Sequence, residues 1–272
     1  MTILQLTLLS RICDLIKEKH RMINNLKKLM YRAYIKIIER RFRNVKYLFM
    51  PGRGGIMIVS FAGFSPDFAR YNYINTLKDL RCSKLFVLDD HGFQKRGSYY
   101  LDTVEETGIK DNVIELVNKI RNKHGIKKII TVGSSKGGSC ALLFGKRLDA
   151  EACIIGAPQY YIGDYLNIDG HRDLLKAIIG APTPEKINVL NHLISDTLKQ
   201  GNRDMEVFLH YSKFENTFRS QIVYLLSDLK DLGYKTILDD NYVYTTHSEV
   251  SKYFPAFLKK TCQEYIKKDE NM

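Results

Sequence analysis

From Ile56 onward the chain alternates short apolar runs with longer stretches of helical period, and few folds accommodate that pattern. The runs are Ile56 to Phe61, Leu85 to Leu88, Lys128 to Val132, Ala152 to Gly156, Met205 to Tyr211 and Lys235 to Leu238. Between them, Phe68 to Leu80, Val113 to Lys123, Ser139 to Arg147 and Phe218 to Leu232 repeat apolar residues at helical spacing. A strand apolar on both faces needs cover on both, which a parallel sheet flanked by helices supplies. The expected class is therefore α/β, a mostly parallel sheet with helices on both faces. The segment from Tyr160 to Gln200, around "GAPTPE", is helical in character with no convincing strand, and is read as an inserted helical cap over about 160–202.

The pattern before the "PGRGG" breaker at Pro51–Gly55 is different. Ile23, Leu26, Met30, Ala33 and Ile37 recur three and four apart, on one face of a helix, with Lys27, Lys28, Lys36 and Arg40 turned elsewhere. Residues 1–45 are thus expected to be a basic amphipathic helical extension, and 46–272 the main domain. From Arg11 to Lys46, twelve Lys or Arg face only Asp14, Glu18 and Glu39, a surplus of nine out of the chain's net +12. Two readings stay open for this extension: a helix packed on the main domain with a solvated basic side, or an attachment to an anionic membrane surface, a membrane-bound assembly or a polyanionic polymer.

With most of the surplus confined there, the remainder carries no nucleic-acid signature: there is no aromatic-basic pattern and no zinc-finger spacing. No nucleic acid partner is expected. The longest apolar run, Ile56 to Phe64, is far short of the roughly 20 residues that cross a bilayer. The first residues, "MTILQLTLLSR", have neither a basic leader nor a small-residue cleavage site, so a cytoplasmic protein is expected, with the inner membrane face as its alternative location. The five cysteines Cys13, Cys82, Cys140, Cys153 and Cys262 are scattered, without CxxC or zinc spacing, and read as core residues with no metal.

The chemistry is expected at "TVGSSKGGSC", residues 131–140. A strand ending at Gly133 followed by a helix is the setting of a nucleophile elbow, GxSxG, in which a sharp turn lifts one serine above the sheet. Gly133 and Gly137 flank Ser135, so the register selects Ser135 and not Ser134. A serine hydroxyl needs a base, and the base a carboxylate, which in such folds follow in the order serine, acid, histidine. Of seven histidines, only His247, in "YTTHSEV", stands after the last expected strand and before the last helix. Glu215, in "SKFEN", is the carboxylate in the loop after the preceding strand, with Asp239 and Asp240 as fallback acids. The oxyanion donors are expected from the backbone of Lys136 and of Gly63 and Phe64 in "SFAGFSP".

Several short stretches, in order, resemble a known family: "YNYI" at Tyr71–Ile74, "RGSYYL" at Arg96–Leu101, "GSSKGG" at Gly133–Gly138, "APQ" at Ala157–Gln159 and "DY" at Asp164–Tyr165. They resemble bacterial capsule polysaccharide O-acetyltransferases of α/β-hydrolase fold, from about residue 46 to the C-terminus. The resemblance implies acetyl-CoA as donor, an acetyl-Ser135 intermediate, His247 as general base and a capsular or other surface polysaccharide as acceptor. The family's acid is an aspartate where this chain has Glu215. Arg96 has two readings, a phosphate clamp for CoA or polymer and a loop-tying residue; Tyr99, with Tyr100, would stack on a sugar or simply pack. The same triad also serves an esterase or deacetylase, and the fold alone a non-catalytic glycan-assembly protein. The sequence does not define the oligomeric state.

Overall fold

The computed structural model describes residues 17–19, 21–23, 25–26, 29–30, 33–65, 67–201 and 203–270. Two compact units divide at Arg40/Arg41. In the first, the described residues from 17 to 38 are helical, and Ile23, Leu26, Met30 and Ile37 are exposed. Lys27, Lys28 and Cys13 lie outside the described residues.

The second unit is built on an eight-stranded sheet. Its strands are β1 (Arg40–Phe42), β2 (Val45–Met50), β3 (Ile56–Phe61), β4 (Ser83–Val87), β5 (Lys128–Ser134), β6 (Ala152–Gly156), β7 (Glu206–Ser212) and β8 (Thr236–Tyr242). The order is β1-β2-β4-β3-β5-β6-β7-β8, with β2 antiparallel to β4 and every pair from β4 to β8 parallel. The helices are α1 (Ile74–Leu77), α2 (Ile109–Lys123), α3 (Lys136–Arg147), α4 (Ile162–Leu166), α5 (Arg172–Ile179), α6 (Pro184–Lys199), α7 (Val223–Asp231) and α8 (Val250–Glu270). Three of them, α4 to α6, form the insertion between β6 and β7.

The central strands are apolar throughout because both their faces are covered. All six residues of β3 and all five of β6 are buried. Gly133 faces α3, since a Cβ there would lie 2.2 Å from the Gly137 carbonyl oxygen. Gly156, level with Ser134 on the neighbouring strand, faces α8, where a Cβ would lie 2.7 Å from the Phe254 ring. Consecutive residues of a strand point to opposite faces, so α3 and α8 cover opposite sides of the sheet. At the sheet's edge, β8 is half-buried throughout except at the exposed Leu238 and Asn241.

Three differences from the sequence reading have local causes. The helical extension was expected to reach residue 45, whereas strands β1 and β2 occupy 40–42 and 45–50; "VKYLFM" pairs antiparallel with β4, and its mix of buried and half-buried residues hid the strand. The helix expected over Phe68 to Leu80 shrinks to the four residues of α1, because Tyr73 adopts a left-handed conformation, φ 64°, at its start. Finally, Asp239 and Asp240 were expected to follow the last strand, but they lie within β8, which runs to Tyr242.

Strand order reverses between β3 and β5, with β4 to one side and β5 to the other, and crevices at such switch points hold ligands in open α/β sheets. The turn from β5 to α3 sits there. Gly137 is as constrained as Gly133, since its Cβ would lie 2.5 Å from the Phe61 carbonyl oxygen. A methyl group at Gly133 would overlap backbone, which has no rotamer to escape by. Gly133→Ala is expected to lower unfolding free energy by more than about 4 kcal/mol in urea titration, or to prevent folding; near-normal stability would contradict this packing.

Candidate active site

Ser135 caps the N-terminus of α3 with φ 54° and ψ −128°, a region that non-glycine residues rarely occupy. Its N–H donates to the Gly156 carbonyl (2.8 Å), and its own carbonyl accepts from Gly138 (2.9 Å) and Ser139 (3.1 Å). These bonds over-determine a strained turn, and the side chain is left half-buried at the carboxyl edge of the sheet.

The three groups that sequence order singles out are brought together. Ser135 Oγ lies 2.7 Å from His247 Nε2, and His247 Nδ1 lies 2.7 Å from Glu215 Oε1. A carboxylate only accepts, so His247 Nδ1 carries the proton and Nε2 accepts from Ser135. Glu215 is 3% exposed and receives a second hydrogen bond from Thr217 Oγ1 (2.5 Å). The two loops that carry acid and base are stitched to each other. Ser212 Oγ lies 2.9 and 2.7 Å from the Tyr242 and Tyr244 carbonyl oxygens, with its one proton to share between them, and Asn216 N–H donates to the Thr245 carbonyl at 3.2 Å. Behind them, Thr246 and Glu249 form a capping box that fixes the turn bearing His247.

The fallback acids are engaged elsewhere. Asp239 Oδ2 is 2.7 Å from Nδ1 of the fully buried His210, and Asp240 pairs with Lys213 (2.6 Å) and Tyr211. Burial lowers the His210 pKa from the ordinary histidine value of 6.5, and Asp239 only partly offsets that.

The oxyanion loop needs one correction. Gly63 N–H donates to Asn72 Oδ1 at 2.9 Å, so it is committed and is not a free oxyanion donor. Phe64 N–H, next in the loop, and Lys136 N–H remain. The latter, first in α3, has no acceptor within the helix and sits at the helix's positive end. The loop is fixed from below by Tyr100, whose hydroxyl accepts from Ala62 N–H and donates to the Val87 carbonyl, both at 2.8 Å.

The Lys136 side chain reaches the other way. Its Nζ lies 2.5 Å from Asp89 Oδ2 with both side chains fully buried, and it lies over the rings of Tyr100, Phe64 and Tyr99 at 5.1, 5.4 and 6.0 Å. Asp89 also accepts from the N–H groups of Ser98 and Tyr100. Desolvation pushes the Asp89 carboxyl up, but the charges of Lys136 and His91 and these hydrogen bonds outweigh it and hold the pKa below 3.8.

Of the two readings for Tyr99, its surroundings match packing and not sugar stacking. It is 0% exposed and packs edge-on to Phe64, so its ring offers no face to a sugar. Half-buried Arg96 donates from Nε to the Ser65 carbonyl (3.3 Å), which is the loop-tying arrangement. Two residues that sequence reasoning gave no role also stand here. Tyr73 OH bonds Ser134 Oγ, next to Ser135 in the chain. Gln159 Nε2 lies 2.6 Å from Ser135 Oγ and is 1% exposed. Their stretches, "YNYI" and "APQ", were visible only as parts of a resemblance; no spacing rule points to them. Among the described residues, no group of three or more His, Cys, Asp or Glu could hold a metal ion, and no helix is long and apolar enough to cross a membrane.

A parallel sheet of this order, with a strained serine between β5 and α3 and a cap after β6, is the α/β-hydrolase fold. Among solved structures, the chain resembles the capsule O-acetyltransferase of Neisseria meningitidis serogroup A, with a TM-score of 0.70 and 22% identity over 83% of this chain and 94% of that one. A mutant of that enzyme in complex with CoA matches at a TM-score of 0.65 and 19% identity, over 82% of this chain and 93% of the other. An S-formylglutathione hydrolase of Agrobacterium tumefaciens matches at 0.57 and 13% identity, over 81% and 91%. No protein-family model matches the chain, and no curated protein matches it in sequence.

Two outcomes test the electrostatics. Asp89→Ala leaves Lys136 charged and buried without its partner and should cost about 3–5 kcal/mol in urea unfolding; a loss below about 1 kcal/mol would show the pair to be dispensable. A base whose folded pKa is depressed contributes stability that is complete above its unfolded value and is lost as pH falls through the folded one. Stability should therefore decline on acidification below pH 6.5, and His210→Phe should flatten that decline. An equal slope in the variant would remove His210 as its source.

Proposed function

We propose that the protein is a serine-nucleophile O-acetyltransferase that takes acetyl from acetyl-CoA and passes it to a hydroxyl of a capsular or other surface polysaccharide. The observation that carries this reading is the unbroken chain from Ser135 through His247 to Glu215, two hydrogen bonds of 2.7 Å each. A serine so held is a nucleophile, and the three similar folds named above belong to an acetyltransferase, a CoA-bound form of it and a thioester hydrolase.

In the first half-reaction Ser135 Oγ attacks the thioester carbonyl while its proton passes to His247 Nε2. Negative charge moves to the carbonyl oxygen, where the Lys136 and Phe64 N–H groups would receive it. The C–S bond breaks, the thiol leaves with the proton from His247, and acetyl remains on Ser135. In the second half-reaction a sugar hydroxyl gives its proton to His247 and attacks the ester. The bond to Oγ then breaks, and Oγ regains a proton from His247. Glu215 compensates the imidazolium in both directions.

Hydrolysis shares the first half-reaction, with water in place of the sugar, and the similarity to a hydrolase keeps that second reading in play. The basic surplus before residue 46 and the exposed apolar residues of the N-terminal helix suit attachment to a capsule-synthesis complex at an anionic membrane surface.

Incubation with radiolabelled acetyl-CoA, with and without purified polysaccharide, separates these outcomes. Wild type should acquire label that Ser135→Ala lacks, and should deliver it to polymer. Label lost only to acetate would make the protein an esterase, and no Ser135-dependent turnover would end the enzymatic reading. Glu215→Ala should lower turnover by about 10³-fold or more; near-normal rates would exclude Glu215 as the triad acid.

A further inference from the structure

Gln159 touches the reacting atom, yet the triad mechanism leaves it without a task. It follows Ala157, held in a left-handed conformation at φ 36° with its N–H on the His210 carbonyl (2.8 Å), and Pro158, which packs against Gly138. This strained corner at the end of β6 turns the chain back over the start of α3. The residue is held there from two sides: Tyr99 OH reaches Oε1 at 3.5 Å, and Ser139 Oγ lies 3.4 Å from Oε1 and donates to the Gln159 carbonyl at 2.7 Å.

The orientation of the amide follows from proton counting. Ser135 Oγ has one proton, directed to His247 Nε2, so any further neighbour at 2.6 Å must be a donor. Only the NH2 end of Gln159 meets that requirement.

We infer that Gln159 is a further catalytic residue, whose amide N–H holds the charge that gathers on Ser135 Oγ as its bond to the acyl carbon forms or breaks. This rests on the acyl-serine reading above and deepens it. The bond strengthens with charge on its acceptor: it is weakest to an ester oxygen, intermediate to a hydroxyl and strongest to an oxygen carrying negative charge. Only the difference between ground and transition state accelerates a step. When the acceptor's oxygen adds to the acyl carbon and the C–Oγ bond breaks, the electron pair goes to Oγ and is neutralised by the proton from His247. From ester to departing oxygen, the gain in hydrogen bonding is the largest in the cycle. From hydroxyl to attacking oxygen it is smaller. Gln159 therefore speeds release of acyl from Ser135 more than loading.

The test uses the full-length chain, with p-nitrophenyl acetate as acyl probe and stopped-flow detection of the burst and steady-state phases. Gln159→Met keeps length and removes the donor. Its steady-state, deacylation-limited rate should fall about 10- to 100-fold and its burst rate by less, so that acetyl-enzyme accumulates in intact-mass spectra. Gln159→Glu supplies a donor only when protonated, so its activity relative to wild type should rise as pH falls. A purely structural role would leave the pH profile unaltered and depress both phases together. Gln159→Met with both phases near wild type, both lowered equally, or the burst lowered more would overturn the inference, as would Gln159→Glu with the wild-type pH profile. Failure of wild type to acylate Ser135 at all would overturn the parent reading and this one with it; Ser135 acylation with unperturbed Gln159 variants would overturn this one alone.

Discussion

The active centre depends on how closely β5, α3 and the end of β3 approach each other. Gly133 and Gly137 leave no room for a Cβ, with 2.2 and 2.5 Å to the nearest carbonyl oxygens, and that crowding turns the chain sharply enough to hold Ser135 at φ 54°. A conformation of this kind costs about 1–3 kcal/mol and persists only where its surroundings over-determine it. The same turn that strains Ser135 brings its hydroxyl to His247 and leaves the first N–H of α3 without an acceptor in the helix.

Around this turn, buried and half-buried polar groups fix the start of α3 and the loop at Ala62 and Gly63. Lys136 and Asp89, both fully buried, tie the start of α3 to the 98–100 segment; Tyr100 from that segment holds Ala62, and Asn72 holds Gly63. Buried ion pairs are weak evidence for net stability, because desolvation opposes their attraction. Their value here is positional. The N–H of Lys136 is the first of α3, with no acceptor in the helix, while its charge is anchored among three rings on the other side. Preorganised dipoles that need no reorganisation during reaction are worth more than the same groups in water.

Much of this was legible in the residues. Apolar runs on both faces gave the parallel sheet, and the glycines around Ser135, the position of His247 and the loop of Glu215 pointed to three side chains that the fold brings within hydrogen-bonding reach. What stayed hidden depends on tertiary contact. The strand at Val45–Met50, between the short edge strand β1 and β4, mixes buried and half-buried residues without the alternation of a strand. Gly63 looked like an oxyanion donor until Asn72 was seen to occupy it, and Tyr99 looked like a binding aromatic until its complete burial was seen. Gln159 sits in a stretch, "APQ", whose importance arises only from where β6 ends, next to a serine 24 positions earlier.

The central claim is that the fold activates Ser135 through His247. Its most direct measure is the rate at which a fluorophosphonate probe labels the protein, with the modified residue located by peptide mass spectrometry. The account predicts a single adduct, on Ser135, whose formation slows by orders of magnitude in His247→Ala. An adduct on another residue, or labelling of Ser135 indifferent to the loss of His247, would contradict it.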